Sequence, residues 1–148
     1  MILMLIREIN ENDFDGLSEL YTHLHNNKPI ENNDLNRSVF HQILSDIHHH
    51  IIVAEEEGKI VSSCACVIIP NLTHNQQPYA VIENVVTHKD YRNRGLVSQC
   101  LDYAREISLN NNCYKMMLLT GSKKCSTHKF YRKNGYNRFE KTGYIQRL

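Results

Sequence analysis

Apolar residues recur along this chain with two different periods. In residues 12–24, Phe14, Leu17, Leu20, Tyr21 and Leu24 are spaced by three and four, the period of a helix with one buried face. Asn12 or Asp13 can cap that helix, and Lys28-Pro29 breaks it. A second helix is predicted from Asn33-Asp34, with Leu35, Val39, Ile43, Leu44 and Ile47 on one face. Residues 1–9, 51–55, 60–69 and 79–88 read as strands, and the turn at 56–59 joins the second and third into a hairpin. Residues 70–78 carry no apolar period and read as a loop. A third helix follows Gly95, carrying Leu96, Val97, Cys100, Leu101, Ala104 and Ile107, and stops at Asn110-Asn111-Asn112. Residues 114–119 read as a buried strand, 125–133 as a short helix stopped by Asn134-Gly135, and 136–148 as one or two final strands. The order β-α-α-β-β-β-α-β-α-β(β) has no repeat and no linker. It predicts one α/β (α+β) domain over 1–148, with a mixed central sheet of six to seven strands and about four helices.

Composition narrows the class. With 148 residues, 41% hydrophobic and 22% charged, the chain can bury one core and is neither disordered nor fibrous. A net charge of +1 is too balanced for a nucleic-acid coat, and no apolar run has membrane length, so neither partner is expected. The total hides a split: residues 1–60 carry 11 acidic and 4 basic side chains, whereas 115–148 carry 9 basic and 1 acidic. Either the two ends neutralise each other across the fold, or the acidic half receives a cation and the basic half an anion. Cys64, Cys66, Cys100, Cys113 and Cys125 are odd in number with no two-residue spacing, which points to a reducing cytoplasm. Cys64 and Cys66 share one face of a strand and read as core. The apolar start meets Arg7-Glu8 at once and reads as a first strand rather than a leader. His48-His49-His50 would alternate across a strand, so no metal is expected there.

The chemistry concentrates where the strand at 79–88 runs into the third helix. A tight loop, Arg92-Asn93-Arg94-Gly95, followed by Leu96, Val97 and Ser98, aims free backbone N–H groups at one spot. The helix dipole and two arginines add positive charge there, which suits a phosphate or pyrophosphate. No Gly-Lys-Ser/Thr follows the glycine, and one glycine is too few for a dinucleotide fingerprint. An ordinary strand–helix connection remains the alternative.

Two motifs together resemble the GNAT superfamily of acetyl-CoA-dependent N-acetyltransferases. Arg92-x-x-Gly95-x-Val97 is similar to the family's Arg/Gln-x-x-Gly-x-Gly/Ala, with Val97 in place of a small residue and Asn93 where glycine is common. Phe130-Tyr131-Arg132-Lys133-Asn134-Gly135-Tyr136 looks like its Phe-Tyr-x-x-x-Gly-Phe. Cys113-Tyr114-Lys115-Met116-Met117-Leu118, the chain length and Glu83-Asn84 are similar to glucosamine-6-phosphate N-acetyltransferases, which carry Glu-Asp at the last pair.

The resemblance implies transfer from acetyl-CoA, as co-substrate and without metal, to a primary amine of a small molecule or peptide. Val85, Val86 and Thr87 would splay from the next strand and bind the pantetheine arm, one N–H polarising the thioester carbonyl. Arg92, Asn93, Arg94, Gly95, Leu96, Val97 and Ser98 would hold the pyrophosphate. Glu83 would take the proton of the ammonium, and Tyr131 would protonate the leaving thiolate. The family frequently has an asparagine where Lys124 stands, so that contact is not carried over. The likeness also implies a homodimer. An aminosugar enzyme and a catalytically silent CoA-binding module stay open. A nucleic-acid domain built on the basic tail lacks the aromatic–basic pattern it would need.

Overall fold

A computed structural model describes residues 1–24 and 28–148. Its sheet begins from a tight hairpin. Glu57 and Gly58 both take left-handed backbone (φ 50 and 82), the twist that lets β2 (His49–Glu56) turn straight into β3 (Lys59–Ile69). β1 (Met4–Glu8) pairs antiparallel with β2, and β4 (Tyr79–Thr87) antiparallel with β3. β5 (Met116–Leu118) lies parallel to β4, giving the order β1-β2-β3-β4-β5. The helices are α1 (Phe14–Tyr21), α2 (Asp34–Ser45), α3 (Thr73–Gln76), α4 (Leu96–Asn110) and α5 (Cys125–Lys133).

Each sheet face has its own core. Ile52, Ala54, Cys64, Cys66, Ile68, Ala80 and Ile82 pack under α4 through Leu96, Cys100, Leu101 and Ala104, with Phe130 and Tyr131 of α5 at the margin. Ile51, Val53, Ala65 and Val86 pack on the other face against Phe14, Leu17 and Leu20 of α1 and Phe40 of α2. Arg7 ties three elements at that margin. It donates to both Asp13 carboxylate oxygens at 2.6 and 2.9 Å and to Glu55 Oε2 at 2.6 and 3.0 Å.

Several expectations are corrected. The mixed α/β fold holds, but among the described residues the sheet has five strands, not six to seven, and there are five helices rather than about four. The tail from 137 to 148 forms no strand and is exposed throughout, because it pairs with no open strand edge; it passes Leu119 at Gly143, where a β-carbon would collide with the leucine tip. The added helix is α3, inside the stretch read as a loop: a four-residue turn in which His74, Asn75 and Gln76 are left-handed (φ 52, 55 and 60). α2 also faces differently from its apolar pattern. Phe40 packs edge-on against Phe14 (5.4 Å, 87°), with Leu35 and Val39 facing outward and Ile47 exposed beyond the end of the helix.

Candidate functional site

One extra residue in β4 shapes the site. Ala65 faces Glu83 and Ser63 faces Val86, so Asn84 and Val85 together oppose Cys64. Asn84 takes up the surplus in left-handed backbone (φ 51), which asparagine tolerates better than most side chains. The bulge reverses the alternation of the strand. Before it Ala80 and Ile82 join the α4 face; after it Val85 joins that face and Val86 turns to the α1 face. By the same alternation Glu83, next to buried Ile82, stands on the α1 face.

The bulge also marks where pairing ends. β4 and β5 stay in register from Ala80–Met116 to Ile82–Leu118 and no further. From Glu83 to Thr87 the β5-side edge of β4 is therefore open, with its N–H and C=O groups available to an extended ligand. The other edge is well fixed. Ser62 Oγ donates to the Val86 carbonyl at 3.0 Å and sits 3.0 Å from Thr87 Oγ1, and the His88 N–H donates to Val61 O at 2.8 Å.

At the end of β4 a 3-10 turn (Lys89–Tyr91) leads into the arginine loop. Asn93 and Gly95 are left-handed (φ 61 and 73), so the position read as a glycine's is filled by a residue that accepts the same backbone. No side chain caps α4, and the space where a Gly95 β-carbon would sit is open. The N–H groups of Leu96, Val97 and Ser98 therefore stand without a side-chain cap at the positive end of a fifteen-residue helix, an arrangement that suits a pyrophosphate.

The two arginines differ. Arg92 is exposed, with Nε 3.5 Å from Thr87 O. Arg94 makes a two-pronged ion pair with buried Glu56, one arm at 3.1 Å, and its guanidinium lies 5.3 Å from the Tyr91 ring centre. Arg94 thus clamps the loop to the end of β2. The local sequence places Glu56 only in a turn, and nothing in it reveals this role.

Tyr131 stands on α5, on the α4 face of the sheet. It is half-buried, edge-on to Phe130 (5.1 Å) and Tyr136 (5.9 Å), in the cluster that includes Val85. Burial, with a smaller contribution from Cys64, raises its phenol pKa and keeps the proton on. Glu83 and Tyr131 therefore stand on opposite faces of the sheet.

Part of the acidic half is paired locally. Glu8 pairs with His50, Glu19 with Lys59, and Asp13 and Glu55 with Arg7. Among the described residues no ion pair joins 1–60 to 115–148, so the two ends do not neutralise each other by contact. No group of three or more His, Cys, Asp or Glu among the described residues could hold a metal, and no described helix is long and apolar enough to cross a membrane.

Known proteins share this fold. The chain is 28% identical over 136 residues to the glucosamine 6-phosphate N-acetyltransferase of Trypanosoma brucei brucei, covering 92% of this chain and 90% of that one. A structure from Agrobacterium tumefaciens str. C58, provisionally classed as an acetyltransferase, superposes with TM-score 0.91 at 38% identity, over 97% of this chain and 99% of that one. The glucosamine-6-phosphate N-acetyltransferase of Arabidopsis thaliana shares the fold (TM-score 0.82, 24% identity, 99% and 98% covered). The model of the acetyltransferase (GNAT) family matches residues 16–136. With an open strand edge and an uncapped helix start that fit acetyl-CoA as co-substrate, the chain belongs to the acetyltransferase (GNAT) family and is an acyltransferase.

Proposed function

We propose that this enzyme moves the acetyl group of acetyl-CoA directly onto a primary amine of a small molecule or peptide, with an amino sugar as the favoured acceptor class. The observation that carries the reading is the open edge of β4 beside the bulge, flanked by Glu83 on one face and Tyr131 on the other. The pantetheine arm lies along 85–87 as a surrogate strand, and the pyrophosphate rests on Arg92 and the N–H groups from Gly95 to Ser98. A backbone N–H near the bulge polarises the thioester carbonyl. Glu83 takes a proton from the ammonium, and the freed lone pair attacks the carbonyl carbon, forming the C–N bond. The tetrahedral intermediate expels the thiolate as the C–S bond breaks, Tyr131 gives that sulfur its proton, and the second proton shed by the attacking nitrogen returns through solvent to the Tyr131 phenolate.

The preference for an amino sugar is supported by the two glucosamine 6-phosphate enzymes among the relatives. Five unpaired cysteines support a reducing, cytoplasmic setting. The exposed tail residues Phe139, Tyr144 and Ile145 support pairing with a second copy, whose β5 edge offers them a partner. Sedimentation of the full chain should then give a dimer; a monomer across the micromolar range removes that assignment.

The deciding experiment follows thiol release from acetyl-CoA with glucosamine 6-phosphate, glucosamine, spermidine, amino acids and a lysine peptide, with and without chelator. Amine-dependent release that survives the chelator is expected, strongest with an amino sugar. CoA binding without release for any amine would leave a silent CoA-binding module instead.

A further inference from the structure

Tyr21 ends α1, and its ring belongs to the second core cluster with Leu17, Leu20 and Val86. Its hydroxyl oxygen is buried yet has no hydrogen-bond partner among the described residues. Buried phenols almost always find one, because a bare hydroxyl forfeits the bond it had in water. The other two such atoms, His48 Nδ1 and His50 Nε2, belong to residues at the start of β2, two strands from β4.

The hydroxyl's surroundings identify what it awaits. Burial pushes the Tyr21 pKa up to about 12; the Asn84 amide beside it pulls it partly back, and Cys64 adds to the rise. Asn84 is the bulge residue and Cys64 lies opposite the bulge, so this phenol stands at the same stretch of β4 as Glu83. It comes from α1, on the face that alternation assigns to Glu83, whereas Tyr131 stands on the α4 and α5 face. With no partner at hydrogen-bond distance among the described residues, the hydroxyl's proton is free for a ligand.

We infer that the Tyr21 hydroxyl binds the acceptor, donating a hydrogen bond to an oxygen next to the reactive amine, so that the enzyme selects amino alcohols, the chemical class of amino sugars, over plain alkylamines. This rests on the N-acetyl transfer reading above and adds a residue and a selection rule to it. Tyr21 is a specificity-determining residue, and it leaves the proton transfers to Glu83 and Tyr131.

The test uses the full chain with saturating acetyl-CoA and two primary amines of the same ring size, trans-2-aminocyclohexanol and cyclohexylamine. The wild-type enzyme should favour the amino alcohol in kcat/KM by about tenfold, the factor expected of one net hydrogen bond. Tyr21→Phe should erase that preference by raising KM for the amino alcohol alone, with the CoA dissociation constant unchanged. Its melting temperature should be unchanged or higher, because an unpaired buried hydroxyl is gone. Equal kcat/KM for both amines in the wild type, or a preference that survives Tyr21→Phe, overturns the inference while transfer itself stands. A lower melting temperature with unaltered KM values also overturns it and makes the hydroxyl a structural partner of Asn84. Turnover of neither amine, nor of any in the panel above, removes the transfer reading and this inference with it.

Discussion

The two faces of β4 are built from different material. On the α4 side the candidate site is mostly backbone: the unpaired edge from 83 to 87 and the uncapped N–H groups at the start of α4. On the α1 side it is side chain: Glu83, Asn84 and the Tyr21 hydroxyl around the bulge. A surface of main-chain groups binds the same ligand whatever residues supply it, given the right φ and ψ. A surface of side chains is specific to this chain. On the proposed reading the common co-substrate falls to the first and acceptor choice to the second.

Substitutions can break that division. Glu83→Gln, on the side-chain face, should lower kcat/KM by about 10²-fold, the size of a general-base contribution. Raising pH should recover part of it, since free amine then no longer needs a base. An undiminished rate would move the base elsewhere. Tyr131→Phe should lower kcat by about tenfold, less than the usual contribution of about 10²-fold or more because a thiolate leaves readily, with CoA binding unchanged.

On the backbone face the arginines should separate. Arg92→Ala should weaken CoA binding about tenfold by calorimetry, and less so binding of a pantetheine fragment without phosphates. Arg94→Ala should act mainly on stability, because it strands buried Glu56 without a partner; a melting temperature as in wild type, with CoA binding lost, would reverse the two assignments. The smallest effect belongs to Gly95→Ala. Left-handed backbone at φ 73 with open space for the methyl should cost about 1 kcal/mol, or about 3 °C in Tm, by strain alone.

What the sequence disclosed follows the same division. Arg92, Gly95 and the Phe130-Tyr131 pair announce a backbone arrangement through residue types that geometry demands, and the periods at 14–24 and 96–107 are those of amphipathic helices. The cores under Cys64, Cys66, Cys100 and Ala104 were legible for that reason. The bulge was not, because left-handed Asn84 sits in an unbroken β-rich run with no glycine to betray it. Glu56 and Arg94 meet across 38 positions, and local pattern carries no trace of such a pair. Tyr21 occupies a core position in the helical repeat, so periodicity accounts for its ring and is silent on its hydroxyl. The outward turn of Leu35 and Val39 reflects one aromatic contact, Phe14 on Phe40, overriding a weak stripe.

The open edge of β4 has a cellular consequence. On the proposed docking, the sheet lacks part of a strand until acetyl-CoA supplies it. Ligand at a hundred times its dissociation constant would then stabilise the fold by about 2.7 kcal/mol, a large fraction of a small domain's margin. Proteases that sample opened molecules would thus remove the enzyme fastest when acetyl-CoA is scarce. Its abundance would follow the supply of its own acetyl donor without any dedicated regulator.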